Sequence, residues 1–463
     1  MSEEMKTLRK QLLRDSRSGY DVLEEAQLRR MEDYCADYKA FLGNKTERLS
    51  ARAAIAAAEA HGFVEYRRGM ALEAGDKVYT CNRSKGLMLA VMGRESMAEG
   101  VQIAAAHIDS PRLDLKPNPL YEDSELAYFK THYYGGIRKY QWVTIPLQLQ
   151  GVVVKKDGTA VEVCIGEKGE PQLVITDLLP HLGGEQGKKP LSEAIPAETL
   201  NILLGSRPIG GEDDSDRVKL HVMKRLYDKY GITEADFASA ELEAVPAADA
   251  VDIGIDGSMI GSYGHDDRVC GYAALRALLE LDAPAKTAVC VLADKEEIGS
   301  MGVTGMQSAV FETFLSDLCD SQNVPLKVCF ENSFCLSADV TAAYDPNFAD
   351  VFDKKNAAFL NHGVGLCKYT GARGKSGSSD AGAETVAYVR SLLDGAGVRW
   401  QICELGKVDA GGGGTVAQYM ANRNIATLDA GVPVLSMHAP FEVVAKLDCY
   451  EMYRACKAIY EAR

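Results

Sequence analysis

The stretch TAVCVLADKEEIGS, residues 287–300, decides the fold class. Its first seven residues form an apolar run typical of a buried β-strand, and two carboxylates, Glu296 and Glu297, follow closely. Adjacent carboxylates at the mouth of an apolar strand repel each other and resist desolvation, so a fold that keeps them there requires a positive charge nearby. The stretch therefore predicts a buried sheet with a cationic partner at its edge.

Short apolar strands of this kind alternate with helical segments on both sides of a different central region. Strands are predicted at GLMLAVMG (86–93), VQIAAAHID (101–109), PLKVCFENSFCLSADV (325–340) and ATLDAGVPVLSMHAP (426–440), and helices at 20–43, 267–282 and 446–463. The central region is rich in β-branched residues, contains the turn KKDGT (155–159), and includes a segment at 181–219 that indicates an exposed loop. This pattern predicts an α/β domain in two parts, 1–118 and 255–463, interrupted by a β-rich insertion, 119–254.

Composition excludes several classes of function. The 463 residues include 51 Lys and Arg against 66 Asp and Glu, a formal charge of −15, which argues against nucleic-acid binding. The charged N-terminus lacks the features of a secretory signal, and no apolar run reaches the ~18 to 20 residues of a membrane span. Twelve cysteines without a C-x-x-C pair indicate reduced core thiols. We expect a cytoplasmic protein with no nucleic-acid partner and no membrane association.

Possible metal ligands recur where predicted strands end. In an open α/β sheet the ligand crevice lies at the carboxyl ends of the strands, so such side chains can converge there. The candidates are His107 and Asp109, Glu296 and Glu297, Asp339, His438, and the pair Asp266 and Asp267 at the start of a helix. Histidines with several carboxylates suit zinc, cobalt or manganese, and two ions would offset the clustered charge. Taken singly, the Asp pair fits a helix cap, His438 a core histidine, and the Glu pair a solvated loop.

Five of these motifs, in this order, resemble the metallopeptidase family of aspartyl aminopeptidase and vacuolar aminopeptidase I. They are HIDSPRLDLKPNP (107–119), SYGHDDRV (262–269), ADKEEIGS (293–300), LSADVTAAYDPNF (336–348) and LDAGVPVLSMHAP (428–440). The resemblance implies a zinc-peptidase-like α/β/α catalytic domain that carries an inserted β-rich dimerisation domain. It also implies peptide substrates with a free N-terminus and a dimer-based homo-oligomer that can reach a dodecamer.

The same resemblance implies roles for individual residues. Two divalent ions per subunit, Zn²⁺ with Co²⁺ or Mn²⁺ as alternatives, would be held by His107, Asp266, Glu297, Asp339 and His438. Asp266 would bridge the ions, Glu296 would be the general base toward the attacking water, and Asp109 would hold the imidazole of His107. The family usually has Arg-Leu-Asp-Asn around the bridging Asp, whereas this chain has GHDDR, so His265 is new and the choice between Asp266 and Asp267 rests on the register of SYGHDD.

Two further stretches give candidate substrate-binding residues. VDAGGGGTVAQYM (408–420) places four glycines, including Gly413, before a predicted helix, where they either face a substrate or form a plain turn. Lys368 falls where the resembling family has a lysine near the substrate, and its alternative is a solvent-facing lysine. GARGKSGSSDAG (371–382) is not a P-loop, because position 369 is Tyr rather than Gly.

Three functions remain open on the sequence alone. The first is a metal-dependent aminopeptidase, which the resemblance favours. The second is a metallohydrolase of related fold that acts on dipeptides or acylamino acids, and the third is a catalytically silent assembly protein. An intact Glu296 argues against the third, and substrates with free and blocked N-termini separate the first two.

Overall fold

The computed structural model describes residues 2–14, 17–211 and 214–463. Helices within these ranges pack mainly around one large sheet, and none has the length and apolarity that a membrane crossing requires. The helices are α1 (Glu3–Leu12), α2 (Glu25–Phe41), α3 (Glu47–Ala60), α4 (Leu191–Ala194), α5 (Arg217–Tyr230), α6 (His265–Leu279), α7 (Val310–Asp320), α8 (Leu326–Glu331), α9 (Ala383–Gly395), α10 (Ala417–Ala421) and α11 (Lys446–Tyr460).

The strands of the described ranges form three sheets. They are β1 (Val64–Glu65), β2 (Lys77–Asn82), β3 (Gly86–Val91), β4 (Val101–His107), β5 (Arg112–Asp123), β6 (Leu126–Tyr134), β7 (Leu147–Val154), β8 (Ala160–Ile165), β9 (Ile202–Gly205), β10 (Ala240–Pro246), β11 (Val251–Ile253), β12 (Met259–Ser262), β13 (Thr287–Ala293), β14 (Phe334–Ala338), β15 (Thr341–Ala342), β16 (Val364–Cys367), β17 (Trp400–Ile402), β18 (Ala426–Gly431), β19 (Pro433–Leu435) and β20 (Glu442–Ala445). The predicted mixed α/β class is confirmed.

The largest sheet has nine strands in the order β1-β2-β3-β13-β4-β14-β18-β16-β17. At its centre, β13, β4, β14 and β18 run parallel, so their carboxyl ends lie at one edge. Every residue of β13 is buried, as expected for the opening stretch. Along β4, Ile103 and Ala105 contribute to one hydrophobic cluster and Ala104 and Ala106 to another, so helices cover both faces.

A second sheet of six antiparallel strands has the order β8-β7-β10-β5-β6-β9 and its own hydrophobic core. Trp142 and Phe129 are buried in this core, and full burial of a phenylalanine side chain contributes roughly 1.5–3 kcal/mol. The sheet runs from Arg112 to Pro246. The insertion limits of 119 and 254 stay a prediction.

Two segments differ from the sequence analysis. Residues 325–340 form a helix and then a strand: Pro325 is the N-cap of α8, and only the second half, β14, joins the sheet. A short apolar run does not separate a buried helix from a strand by periodicity. The segment predicted as an exposed loop, 181–219, instead contains α4 and the strand β9, whose Ile202 is buried in the core of the second sheet. It also overlaps α5, which begins at Arg217 and buries Leu226 in the same core.

Candidate metal centre

Three adjacent parallel strands deliver side chains to one edge of the large sheet. Strand β4 ends at His107, Asp339 directly follows β14, and Glu296 and Glu297 lie in a single 3₁₀ turn just after β13. Because β13, β4 and β14 are neighbours in the sheet, these side chains converge as the sequence analysis expects.

His438 reaches the same place from another sheet, which corrects the expectation that it ends a strand of the large sheet. It lies in the turn between β19 and β20, strands of a five-stranded sheet with the order β11-β12-β20-β19-β15. Position 438 has φ +65°, so the chain bends sharply there and a strand cannot continue through it. Convergence of His438 on the site therefore depends on packing between sheets.

Asp266 lies between the two imidazoles. Its Oδ1 is 3.2 Å from Nε2 of His107, and its Oδ2 is 3.2 Å from Nε2 of His438. Oδ2 of Asp267 instead accepts a hydrogen bond from the backbone N–H of His107 at 3.3 Å. The geometry therefore favours Asp266 over Asp267 as the shared carboxylate.

The remaining donors divide around Asp266 into two groups. Nε2 of His107 is 3.9 Å from Oδ1 of Asp339, and Nε2 of His438 is 3.6 Å from Oε2 of Glu297. Among the described residues, Asp266, Glu297 and His438 form one set whose ligand atoms lie within 4.8 Å of one another. His107 and Asp339 belong to another set that includes Asp267, and a third set joins His107 to Glu296 and Glu297. Overlapping clusters of nitrogen and oxygen donors of this kind suit transition-metal ions.

Both imidazoles are held through Nδ1, which leaves Nε2 directed at the carboxylates. Nδ1 of His107 is 3.0 Å from the carbonyl oxygen of Asp109, and Nδ1 of His438 is 2.9 Å from the carbonyl oxygen of Gly136. An Nδ1–H bond to a protein oxygen fixes the tautomer and orientation of a metal-binding histidine. The Nε2 atoms of both histidines are thus oriented as in metal-binding histidines.

Asp109 contacts His107 as well as the turn that carries Glu296 and Glu297. It is fully buried, with Oδ1 3.3 Å from Nδ1 of His107. Its Oδ1 accepts a hydrogen bond from the N–H of Glu296 at 3.1 Å, and its Oδ2 accepts one from the N–H of Glu297 at 3.2 Å. The hydroxyl of Tyr134 donates a further bond to Oδ2 at 2.8 Å. Asp109 therefore ties the end of β4 to the turn after β13.

The carboxylates of the site resist ionisation together. Burial raises the pKa of Glu296 to about 7, and it raises the pKa of Glu297 well above its usual range with a further contribution from the charge of Asp266. Burial also raises the pKa of Asp339, and the charge of Asp267 adds to the shift. Divalent cations would relieve this repulsion, which is the electrostatic need that the opening stretch indicates.

His438 and Asp266, which lie between these carboxylates, are instead held in their charged forms. Burial opposes ionisation of His438, but its hydrogen bond to Asp266 and the charge of Glu297 raise its pKa to about 10. Burial likewise opposes ionisation of Asp266, but hydrogen bonds from His107 and His438 lower its pKa below the usual range. Asp266 is therefore the carboxylate that stays ionised between its neighbours.

A cavity of about 420 Å³ opens over the site, and Glu296, Asp339 and His438 line it. Gly413 also lines this cavity, as the substrate-binding prediction requires. Lys368 is not among the lining residues; its side chain is 45% exposed and its Nζ lies 4.0 Å from Oδ1 of Asp380.

Two residues that contact the site, Glu442 and Gly136, are not predicted from the sequence. Glu442 is buried and accepts hydrogen bonds from the backbone N–H groups of Asp266 and His438. The sequence does contain a signal for Glu442, which stands directly before the apolar residues of EVVA (442–445). A carboxylate next to an apolar run is the same pattern that singles out Glu296 and Glu297. Gly136 has no comparable signal, since its carbonyl reaches His438 only through tertiary packing.

Histidines and carboxylates gathered at the carboxyl edge of a parallel α/β sheet define a metal-binding α/β protein. The chain belongs to the M18 peptidase family, because residues 44–460 match the family described as aminopeptidase I zinc metalloprotease (M18). It is therefore a metallo-aminopeptidase by family membership. The resemblance stated from the motifs is confirmed.

Individual relatives agree with this assignment. The chain is 48% identical to the protein named Probable M18 family aminopeptidase 1 of Clostridium acetobutylicum, over 95% of this chain and 97% of that one. An M18-family aminopeptidase crystal structure from Thermotoga maritima matches with a TM-score of 0.93 at 42% identity, covering 97% of this chain and 99% of that one. The dodecamer of Saccharomyces cerevisiae mApe1 shares the fold, with a TM-score of 0.76 at 21% identity over 93% and 99% of the chains.

Proposed function

We propose that this aminopeptidase removes residues from free peptide N-termini by using two divalent ions and Glu296 as the general base. The observation that carries the proposal is the position of Asp266, whose two oxygens each lie 3.2 Å from a different imidazole. Asp266 would bridge the ions, His107 and Asp339 would complete one ligand set, and Glu297 and His438 the other. Zn²⁺ is the ion that the family description supports, with Co²⁺ or Mn²⁺ as alternatives.

Bound divalent ions would act as Lewis acids and lower the pKa of a water molecule at the site. The side chains of the site would then move the protons and hold the reacting groups in position. Both Glu296 and Glu297 line the cavity, and Glu296 has the more open side chain, 18% exposed against 3% for Glu297. Its carboxylate would accept a proton from the attacking water and donate it to the departing amine. Asp109 would hold the turn that carries Glu296 in place.

The cavity also suggests how the substrate is placed. The four-glycine segment reaches it at Gly413, where an added Cβ would meet no atom within 4 Å, so a substrate backbone can approach closely. Peptides with a free α-amino group would enter with that group toward the acidic wall formed by Glu296 and Glu297. Lys368 is the weaker candidate, because only a change in its side-chain position would bring it to the substrate.

We further propose that residues 119–254 form a dimerisation domain and that the chain builds a cytoplasmic homo-oligomer. The separate six-stranded sheet with its own core supports the first part. The yeast structure of the same fold is a dodecamer, and we therefore expect this chain to form a closed particle of twelve subunits. Twelve unpaired cysteines, most of them buried, support a reducing compartment.

A substrate panel on metal-loaded protein tests the proposed activity. Peptides that differ in their N-terminal residue should be shortened from that end, and the matching N-acetylated peptides should not be cleaved. A chelator should abolish the activity and added Zn²⁺ or Co²⁺ should restore it. Cleavage of N-acetylated amino acids in preference to free peptides would contradict the proposal and favour the acylamino-acid hydrolase.

A further inference from the structure

Glu442 occupies a position that the proposed mechanism does not use. It is the first residue of β20 and is 1% exposed. Its cross-strand partner is Ser262, the last residue of β12, and the chain leads from there to Asp266. On its own strand, the chain before Glu442 is the turn that carries His438. Glu442 therefore lies beside both the segment that leads to Asp266 and the turn that carries His438.

The carboxylate of Glu442 holds both segments by their backbones. Its Oε1 accepts a hydrogen bond from the N–H of His438 at 2.7 Å, and its Oε2 accepts one from the N–H of Asp266 at 3.1 Å. His438 needs such support, because φ +65° places it in the left-handed region that a non-glycine residue adopts at a cost. A bond to the backbone N–H stabilises this conformation directly.

Asp109 makes a comparable arrangement on the other side of the site. Each of its oxygens accepts one backbone N–H, from Glu296 and from Glu297. Glu442 and Asp109 are thus two buried carboxylates that each accept hydrogen bonds from two backbone N–H groups. The residues that donate these bonds are proposed metal ligands or, for Glu296, the proposed base. A carboxylate suits this task because both oxygens accept hydrogen bonds, whereas an amide offers one acceptor and one donor.

We propose that Glu442 is a positioning residue that sets the separation of Asp266 and His438 and so forms the ion site made by Asp266, Glu297 and His438. This inference rests on the ligand assignment of the proposed function. Glu442 acts through the backbone and is not itself a ligand. The ion held on the side of His107 depends on it less, because Asp266 keeps a second backbone anchor, its carbonyl oxygen, which accepts a 2.7 Å hydrogen bond from Ser110 Oγ.

The test compares zinc binding to full-length wild-type protein and the Glu442→Gln variant by competition with a chelator. Glutamine keeps the size of the side chain but places an NH₂ group against one of the two N–H donors. We expect the affinity for one of two zinc ions to fall at least tenfold while the other ion binds as in wild type. Equal affinity for both ions in the variant and the wild type would overturn the inference, as would an equal loss at both sites.

A matched control separates positioning from general stability. Glu451 is fully buried and also accepts a backbone N–H, that of Arg399 at 2.6 Å, but it lies on α11 away from the site. Glu451→Gln should leave both zinc affinities unchanged; a loss equal to that of Glu442→Gln would overturn the inference. If Glu442→Gln does not fold, Glu442→Asp, which keeps both oxygens but withdraws them by one methylene, is expected to show the same one-site loss, and unchanged binding would contradict it.

A double variant tests the route through His438. Because Glu442 acts on the position of that histidine, Glu442→Gln should add little to the loss already caused by His438→Ala. Full additivity would count against the inference. Failure of the proposed function has a different signature, because wild-type protein would then bind fewer than two ions, or Asp266→Ala would bind zinc as wild type does.

Discussion

At the scale of single residues, the pair Glu296 and Glu297 should separate into two roles. Glu296→Gln keeps the shape of the side chain and removes its basicity, so zinc content and substrate affinity should survive while kcat falls on the order of 10²-fold or more. Glu297→Gln should instead lower zinc affinity, with activity partly recovered at high zinc. Steady-state kinetics and metal analysis on both variants measure this difference.

The exposed Glu331, at the end of α8, provides the control for this pair. Glu331→Gln should match wild type in both zinc content and turnover. If Glu296→Gln is the variant that loses zinc, or if it turns over at the wild-type rate, the two roles are reversed or wrong.

His265 should make the protein sensitive to acid. It is buried between the hydroxyl of Tyr38, 2.8 Å from Nδ1, and the carbonyl of Ile260, 3.1 Å from Nε2, and burial lowers its pKa to about 3. The unfolded chain takes up a proton near pH 6.5 and the folded chain does not, so stability is present above that pH and is lost as the pH falls toward 3. The loss is about 1.4 kcal/mol per pH unit.

Thermal unfolding of His265→Gln against wild type measures this contribution. The midpoint temperature of the variant should fall less between pH 6.5 and pH 5 than that of wild type. The exposed His61, changed to Gln, should keep the wild-type slope. Parallel slopes for wild type and His265→Gln would show that the histidine is not held neutral.

At the scale of elements, Gly431 shows how tightly neighbouring strands place a proposed ligand. It ends β18, and a Cβ there would lie 1.6 Å from the carbonyl oxygen of Asp339, which follows β14. Because that contact is backbone, Gly431→Ala must displace Asp339. We expect at least a tenfold loss of zinc affinity together with reduced stability, measured by chelator competition and thermal unfolding.

Gly395 supplies the comparison, because it ends α9 and an added Cβ meets no atom within 4 Å. Gly395→Ala should leave zinc binding at the wild-type level. Wild-type zinc affinity in Gly431→Ala would mean that the segment after β14 tolerates displacement and that Asp339 does not need its present position.

Sequence patterns predict those elements whose signals are local. The apolar run predicts strand β13 and places the two glutamates after it. His107 and Asp339 are predicted in the same way, because each stands at the carboxyl end of a strand, β4 or β14, that is parallel to its neighbour in the sheet. His438 could be named as a candidate but not placed, because it comes from the turn of another sheet. The backbone bonds of Glu442 depend on how that sheet packs on α6, which no local pattern encodes.

At the scale of the whole molecule, the chain should assemble into a homo-oligomer. The six-stranded sheet has β8 and β9 at its edges, and Val174 of the same chain already bridges β9 at Leu203. Edge strands such as β8 readily pair with another chain or are covered by it. Light scattering at micromolar protein should give a mass that is a multiple of the 50.2 kDa chain. A mass equal to one chain would contradict this expectation and the dimerisation role of the insertion.

The central claim is that two ions share Asp266, and anomalous scattering at the zinc absorption edge tests it most directly. Crystals of zinc-loaded protein should show two peaks, each about 2.0–2.2 Å from an oxygen of Asp266. One peak should contact His107 and Asp339, and the other Glu297 and His438. A single peak, or peaks that do not contact Asp266, would contradict the account.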